Sequence, residues 1–551
     1  MKKLRIGLLL NSYKIPLWEY ILIEKLINSN YATVELVIKN NQKKIKKTLF
    51  QKIKNHWKHA FYLIYIKLDK NLFKLKNNAF ELKDIAPLLK GVEEFKVEPI
   101  STKFSDRFND KDITRIKDEK LDILLRFGFG ILRGEILKSS KYGIWSYHHG
   151  DNRVNRGGPS GFWEVIENIG ITGSVLQILT EDLDAGKILY KSFSTSDEFS
   201  INRNKNNYYW KTLSFLPRKI EELYNDGEVE FFKKIDKENA YPSFYSKRLY
   251  SKDNFSNIKM FTLFFKHLSK MIYKKIYIRF VLEQWILLFS IRDGMSTSFW
   301  RFQKIIPPKD RFYADPFVVS KNNLYYIFIE ELIYAKNKGH ISVIEMDLDG
   351  NIKKIEPIIE QNYHLSYPHI IEEKDKYFMV PETGMNNTIE LYECIEFPYK
   401  WEFRMNLMEK VKAVDSTFFF YNNKWWLFTN MSSCEGASLN DELHLFYADT
   451  LETTDWLPHP MNPIVSDASN SRPAGNIFVH NNKIFRPAQN STHKYGYGMK
   501  INEILILDEN NYHEVEIDKI DPDWDSNILR THTFNHVNNL TVIDARLKRF
   551  K

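Results

Sequence analysis

Cysteine is nearly absent from this chain. Cys394 and Cys434 are the two among 551 residues, too few for a disulfide framework or a cysteine-ligated metal centre. No run of eighteen apolar residues is free of charge, so no membrane-spanning helix is expected. The amino terminus carries no signal-peptide pattern, and with so little cysteine the chain reads as cytoplasmic, with no metal. No Gly-x-Gly-x-x-Gly turn follows the first apolar run, which argues against a plain dinucleotide site. The net charge of +9 is modest for this length and gives no indication of a nucleic-acid partner.

What is present suffices for large cores. Hydrophobic residues make up 43% of the chain and aromatic residues 15%, which calls for two or more domains. The aromatic excess suits surfaces that stack sugars or bases, although β packing absorbs most of it. The first forty residues read as strand, helix, strand: Lys3 to Leu10 is a short apolar run, Trp18 to Ile27 has helical spacing, and Val34 to Ile38 is β-rich. Leu121 to Phe127 is a further strand, ending in Gly128-Phe129-Gly130. Ile144 to Tyr147 is another, and it delivers His148 at its carboxyl end. Ligands of open α/β sheets bind outside such ends.

The segment from Trp145 to Tyr190 concentrates the chemistry. It contains Ser146-Tyr147-His148-His149-Gly150-Asp151, then Arg156-Gly157-Gly158-Pro159, then Thr172-Gly173 and Glu181-Asp182-Leu183-Asp184-Ala185-Gly186. Imidazole moves protons near neutral pH, and a carboxylate that orients it completes a general-base pair. His148 and Asp184 are the candidate pair. The alternative is a structural histidine and a turn aspartate.

This stretch resembles the catalytic core of the folate-dependent formyltransferases, which includes methionyl-tRNA, glycinamide ribonucleotide and sugar-nucleotide formyltransferases. His148 stands at the family histidine, Asp184 at the aspartate of Leu183-Asp184-Ala185-Gly186, and Arg156-Gly157 at the Arg-Gly turn that the resemblance assigns to substrate. Ser146 replaces the family's asparagine. That amide is a donor to developing negative charge, and a positioned donor there lowers a barrier by roughly 3 kcal/mol. The resemblance implies a Rossmann-like α/β fold, 10-formyltetrahydrofolate as cofactor against Phe127, Gly128, Phe129, Gly130 and Asp182, and catalysis by His148, Asp184 and Ser146.

Positive charge is unevenly placed. Lys43 to Lys76 holds eleven lysines and a single acid, Asp69, interleaved with aromatic and aliphatic residues, and Lys259 to Phe280 repeats the composition. Such stretches can lie on an anionic membrane or pack on a domain with a solvated lysine face.

The second half repeats itself. Asp315 to Glu330, Tyr367 to Glu382, Asp415 to Phe428, Ala474 to Pro487 and His532 to Asp544 each read strand, tight turn, strand, and their starts lie about 48 to 59 residues apart. Four turns are Asn-Asn pairs and one is Lys374-Asp375; asparagine tolerates the positive φ of a two-residue hairpin. Five such units predict a five-bladed β-propeller, closed by a strand from Gln284 to Ser290.

Ala314-Asp315-Pro316, Tyr367-Pro368 and Val414-Asp415-Ser416 resemble the strand starts of five-bladed glycoside hydrolases, and more closely the amino-terminal domain of glucosamine inositolphosphorylceramide transferases. The resemblance makes Asp315 the base and Asp415 its orienting partner. The glutamic acid expected before Gly-Pro is missing, and the position reads Ser471-Arg472-Pro473. Arginine cannot donate that proton, but it can grip a phosphate or carboxylate. Asp315, Glu382, Asp415, Arg472, Arg486 and His532 are therefore expected to line a pocket for an anionic glycan or lipid-linked sugar.

The expectation is a multidomain enzyme: a formyltransferase-like α/β domain over 1–235, a basic aromatic helical linker over 236–281, and a five-bladed propeller over 282–551. Its expected reaction is formyl transfer to an amino sugar, nucleotide- or lipid-linked, in surface-glycan synthesis, at the inner face of the membrane if the basic helices bind there. The rival is a carbohydrate-binding or carbohydrate-processing propeller on a degenerate formyltransferase scaffold.

Overall fold

The computed structural model describes residues 2–42, 57, 59–102, 105–154, 156–241, 244, 256–432, 434, 436–492 and 494–551. Most of the first half of the basic stretch Lys43–Lys76, and residues 242–243 and 245–255 of the expected linker, lie outside the described residues. The chain forms two compact units that divide between Ser269 and Lys270, with the short stretch 433–437 grouped with the first.

The first unit is α/β. Its main sheet is built from β1 (Leu4–Leu10), β2 (Ala32–Asn40), β3 (Glu93–Val97), β4 (Ile123–Arg126), β5 (Ile144–His148), β6 (Ile171–Ile178) and β7 (Lys187–Thr195), in the order β7-β6-β5-β4-β1-β2-β3. The pairings from β3 to β5 are parallel, and β6 and β7 are added antiparallel. Parallel strands are covered on both faces and read as near-continuous apolar runs. β1 does this: Ile6, Leu8 and Leu10 face one core and Leu9 the other, all almost fully buried. From β1 the chain moves to β2 and β3 on one side, then to β4 on the other. The carboxyl ends of β1 and β4 thus flank a topological switch point, where crevices form in such sheets.

The longer helices of this unit are α1 (Leu17–Ile27), α2 (Ala60–Leu72), α3 (Asp110–Asp118), α4 (Ile201–Thr212) and α5 (Phe215–Glu238), and α6 (Asn257–Phe280) continues past its end. Asn109 caps α3 through the Asp112 N–H, and Ser200 caps α4 through that of Arg203, satisfying donors that have no partner within the helix. The stretch expected as a linker thus contains the last turn of α5 and the whole of α6.

The second unit is mostly β, and its described strands form five antiparallel sheets. Four are built in chain order from Arg311–Ile359, Ser366–Glu409, Ala413–Pro458 and Phe478–Ile520. The fifth joins the two ends of the unit: Val281–Ile291 pairs with Leu540–Phe550 along its whole length, from Val281↔Phe550 to Ile291↔Leu540. Each hairpin marked by a polar turn pair in the sequence forms a strand pair. Asn322, Asn323, Lys374, Asp375, Asn422, Asn423, Asn481, Asn482 and Asn538 all take positive φ, as two-residue hairpin turns require.

Closing the unit by its own ends makes the contact between them decisive for stability. Ile286 and Leu288 from one end pack with Ile543 and Ala545 from the other, nearly all solvent excluded. Ile286→Ala should destabilise the second unit by about 2–5 kcal/mol, whereas Ile506→Ala, on the exposed side of the fourth sheet, should change it by less than about 0.5 kcal/mol. Thermal unfolding of the full chain monitored by near-ultraviolet circular dichroism checks this.

Candidate functional site

Two clusters of ionisable side chains stand out, one in each unit. In the first, β5 presents Ser146 and His148 on the same face, as the two-residue period of a strand dictates, and the register sets Ser146 against Arg126 of β4. Nδ1 of His148 lies 3.2 Å from Oδ1 of Asp184. The other Asp184 oxygen accepts the Gly157 N–H at 3.2 Å, so the Arg-Gly-Gly turn orients the carboxylate. Asp184 sits at φ 52°, and a Cβ added at Gly186 would meet the Ile178 carbonyl oxygen at 2.2 Å. The turn carrying Asp184 folds tightly against the end of β6. Burial works against the Asp184 charge, but the hydrogen bond and charge of His148, the Gly157 N–H and the charge of Arg126 hold its carboxyl below the usual range. With Nδ1–H donated to Asp184, Nε2 of His148 carries the lone pair.

Arg126 was not singled out in the sequence. Its Nη1 donates to Ser146 Oγ at 3.0 Å and its Nε to the Gly130 carbonyl at 3.2 Å. Burial pulls its guanidinium below the usual value, while Asp184 and Asp106 pull the other way. In the sequence Arg126 is only a charged residue that ends the apolar run Ile123-Leu124-Leu125, which does not distinguish it from an arginine ending a strand in solvent. The neighbouring His149 instead packs among aromatic rings, stacked 3.8 Å from Tyr209, and burial pushes its pKa well below the usual histidine range.

The loop from Phe127 to Gly130 turns its polar groups inward. The Phe129 N–H donates to Asn11 Oδ1 at 2.9 Å and that of Gly130 to Asp106, and a Cβ at Gly128 would meet the Asn11 backbone nitrogen at 2.6 Å. These glycines allow close packing of the loop on β1, and the two N–H groups are spent within the protein. Phe127 packs on Trp18, Asp182 is exposed, and Arg156 donates to the Asn152 carbonyl in its own loop.

In the second unit, the first three sheets open on the same irregularity. Asp315, Tyr367 and Asp415 have φ of 51°, 45° and 51°, each at a register shift near the start of its strand pair. Such bulges re-aim side chains beside functional sites. Asp315 accepts hydrogen bonds from the Thr533 hydroxyl at 2.9 Å and the Tyr367 N–H at 3.3 Å. Arg472 spans Asp415, at 3.2 Å from Nη2 to Oδ1, and Glu382, at 3.4 Å; it also donates to Asn440 at 2.9 Å and lies over the Tyr495 ring. His532 is stacked on Trp285 at 4.2 Å, with Nδ1 at 2.5 Å from Asp544 and 3.8 Å from Asp315.

Arg472 therefore does not present an open grip for an anion, contrary to the expectation of an anionic glycan. Its guanidinium is held by two carboxyl groups, and the cluster carries Asp315, Glu382, Asp415 and Asp544 against Arg472 and His532. Burial, and then the neighbouring Asp415, push the Glu382 carboxyl well above its usual range. Burial above all, helped by the charges of Glu330, Asp415 and Asp544 and opposed by that of His532, lifts Asp315 to about 7. Arg486 is not in the cluster either. It is fully buried against Glu514 and donates to the Asn470 carbonyl at 2.8 Å and to that of Ser471, which shapes the segment leading to Arg472. Asp315, His532 and Asp544 are the described residues whose ligand atoms lie close enough to share a metal ion. With Nδ1 of His532 donating to Asp544, the same atoms close an ion pair.

His532 links this cluster to pH. Burial opposes its charge, but Asp544 and Asp315 outweigh it and raise its pKa from 6.5 to about 9. A folded pKa above the unfolded one means that the stabilisation is full below pH 6.5 and is lost as pH rises toward 9. The melting temperature of the second unit should fall across that window, and His532→Gln should flatten the fall; a series of calorimetric scans in matched buffers measures it.

The chain is similar to known proteins in part of its length. Residues 304–536 match the family described as glucosamine inositolphosphorylceramide transferase 1, N-terminal. Glucosamine inositolphosphorylceramide transferase 1 of Oryza sativa subsp. japonica is 29% identical over 209 residues, 37% of this chain and 28% of that protein; the chain thus spans little more than a quarter of that curated relative's length. Among solved structures, glycinamide ribonucleotide transformylase 1 from Symbiobacterium toebii aligns at TM-score 0.28 and 11% identity, over 41% of this chain and 89% of that one. An α-L-arabinofuranosidase from Clostridium thermocellum aligns at 0.29 and 15%, over 38% and 74%.

Proposed function

We propose that the first unit transfers a formyl, or related one-carbon acyl, group from 10-formyltetrahydrofolate to the amine of an amino sugar, and that the second unit, read as a five-bladed propeller, binds carbohydrate. The observation that carries this reading is the His148–Asp184 pair with Arg126 beside it at the carboxyl edge of a parallel sheet. The family match over residues 304–536, whose relatives are named for a glucosamine-bearing lipid, supports a carbohydrate-related function for the second unit.

A base at His148 Nε2 takes the proton of the attacking amine as the new C–N bond forms, Asp184 stabilises the imidazolium that results, and that imidazolium returns the proton to the donor nitrogen as its bond to the formyl carbon breaks. Arg126 supplies what Ser146 cannot. Its guanidinium, anchored on Ser146 Oγ and the Gly130 carbonyl, places fixed positive charge where a carbonyl oxygen gains negative charge, and a preorganised donor of this kind lowers the barrier most in a water-poor site. The formyl donor, when bound, supplies the electrophilic carbonyl; His148, Arg126 and Ser146 suit its reacting end, while the Phe129 and Gly130 N–H groups do not serve it.

Loss of His148 or Asp184 should be severe. With a folate formyl donor and an amino sugar, His148→Ala should lower the rate by about 10²–10⁴-fold and Arg126→Met by about 10²–10³-fold. Ser146→Ala, which leaves the guanidinium in place, should cost less than about tenfold. Mass-spectrometric rates for the three variants test the assignment, and a larger loss at Ser146 than at Arg126 would reverse the roles of the two side chains.

The carboxyl-rich cluster of the second unit selects by charge. Glucosamine should raise the melting temperature of the full chain, and glucuronate at the same concentration should not, because an added carboxylate finds the Arg472 guanidinium already held by Asp415 and Glu382. Thermal-shift titrations with the two sugars make the comparison.

A further inference from the structure

Helices α2 and α6 carry their apolar side chains on the wrong side for a domain that ends at its own surface. In α2, Tyr65 and Asp69 are buried, with Tyr62 and Ile66 partly so. The opposite face displays Phe61, Ile64, Leu68 and Leu72, spaced three or four residues apart, and Trp57 continues the stripe one turn earlier at 74% exposure. Ile64 is 53% and Leu72 68% exposed. The first half of α6 repeats the pattern: Met260 and His267 face inward, while Ile258, Phe261 and Phe265 face out.

The two stripes form one surface. Phe61 and Phe261 meet edge to face at 5.5 Å, Phe261 and Phe265 lie 4.5 Å apart, and the Asn257 side chain ties the helices together by donating to the Trp57 carbonyl and accepting the Phe61 N–H. Contiguous exposed apolar surface of this kind marks an interaction site. Its charge narrows the partner. Lys67, Lys70 and Lys266 are exposed on the same two helices, and Asp69, the one acid in Ala60–Leu72, points inward to the Asn202 N–H at 2.7 Å. Residues 257–280 contain no acid. A second copy of the chain would bring lysines against lysines. No described helix is long and apolar enough to cross a membrane.

We propose that the paired outer faces of α2 and the first half of α6 dock onto an anionic lipid bilayer, with the aromatic and aliphatic stripe in the interface and the lysines on the headgroups. This is the geometry of interfacial amphipathic helices, whose binding combines buried apolar area with attraction to anionic lipid, and lysine stems reach outward from such a surface while their ammonium groups stay wet. The inference does not depend on the chemistry proposed at His148.

Vesicle flotation of the full chain tests it. The chain should float with vesicles of phosphatidylcholine and phosphatidylglycerol and remain in the load fraction with phosphatidylcholine alone. Ile64→Asp/Leu68→Asp/Phe265→Asp should reduce partitioning on the order of tenfold or more with an unchanged melting temperature, since all three side chains are exposed. Lys67→Glu/Lys70→Glu/Lys266→Glu should weaken binding to the anionic vesicles and remove most of its salt dependence. Failure of the wild type to float with anionic vesicles, equal flotation of the apolar triple variant, or self-association of the wild type that this variant abolishes without any vesicle binding would each overturn the proposal.

Discussion

A carboxylate carried on left-handed backbone is the constraint on which both candidate sites depend. Asp184, Asp315 and Asp415 have φ of 52°, 51° and 51°, a conformation that costs an L residue of order 1–3 kcal/mol unless its surroundings enforce it. In each case the carboxylate accepts the bonds that fix it: the Gly157 N–H for Asp184, the Tyr367 N–H and Thr533 hydroxyl for Asp315, and Arg472 with Gln489 for Asp415. A regular strand would send these side chains along the pleat. The bulge and the tight turn re-aim them out of that alternation.

From that constraint follows a shared electrostatic arrangement. Each site sets buried carboxylates against one arginine and one histidine: Asp184 with Arg126 and His148, and Asp315, Glu382, Asp415 and Asp544 with Arg472 and His532. The balance differs. In the first unit Asp184 and Asp106 act on a guanidinium bonded only to neutral oxygens among its described hydrogen bonds, which leaves positive charge to offer to a developing anion. In the second, Arg472 is committed to Asp415 and Glu382, which leaves carboxyl groups to offer to hydroxyls or to an amine. Chemistry on an acyl group suits the first arrangement and recognition of an amino sugar the second.

The parts legible in the sequence are those with strong local causes. Asparagine pairs between apolar runs announce positive φ, and the turns at Asn322, Asn422 and Asn481 have it; the apolar run of β1 announces a strand covered on both faces. The thirty-six residues from His148 to Asp184 showed that the two could meet only through the resemblance, because spacing says nothing about how β6 returns the chain. Arg126 was missed because no local pattern separates an arginine that ends a strand beside Ser146 from one that ends it in solvent. Arg472 and Arg486 were read as ligand-binding cations because arginine's partners lie far away in sequence: Glu382 is 90 residues from Arg472, and Glu514 is 28 from Arg486. The outward stripes of α2 and the first half of α6 were legible as composition. Which face they presented was not, since inward and outward stripes share one period.

The proposed acyl transfer to an amino sugar is the central claim, and the sugar itself is its most direct witness. Surface polysaccharide from cells that express this chain should contain an amino sugar heavier by one formyl group than the same sugar from cells expressing the His148→Ala chain. Identical masses from the two cultures, with both proteins present at equal levels, would contradict the account.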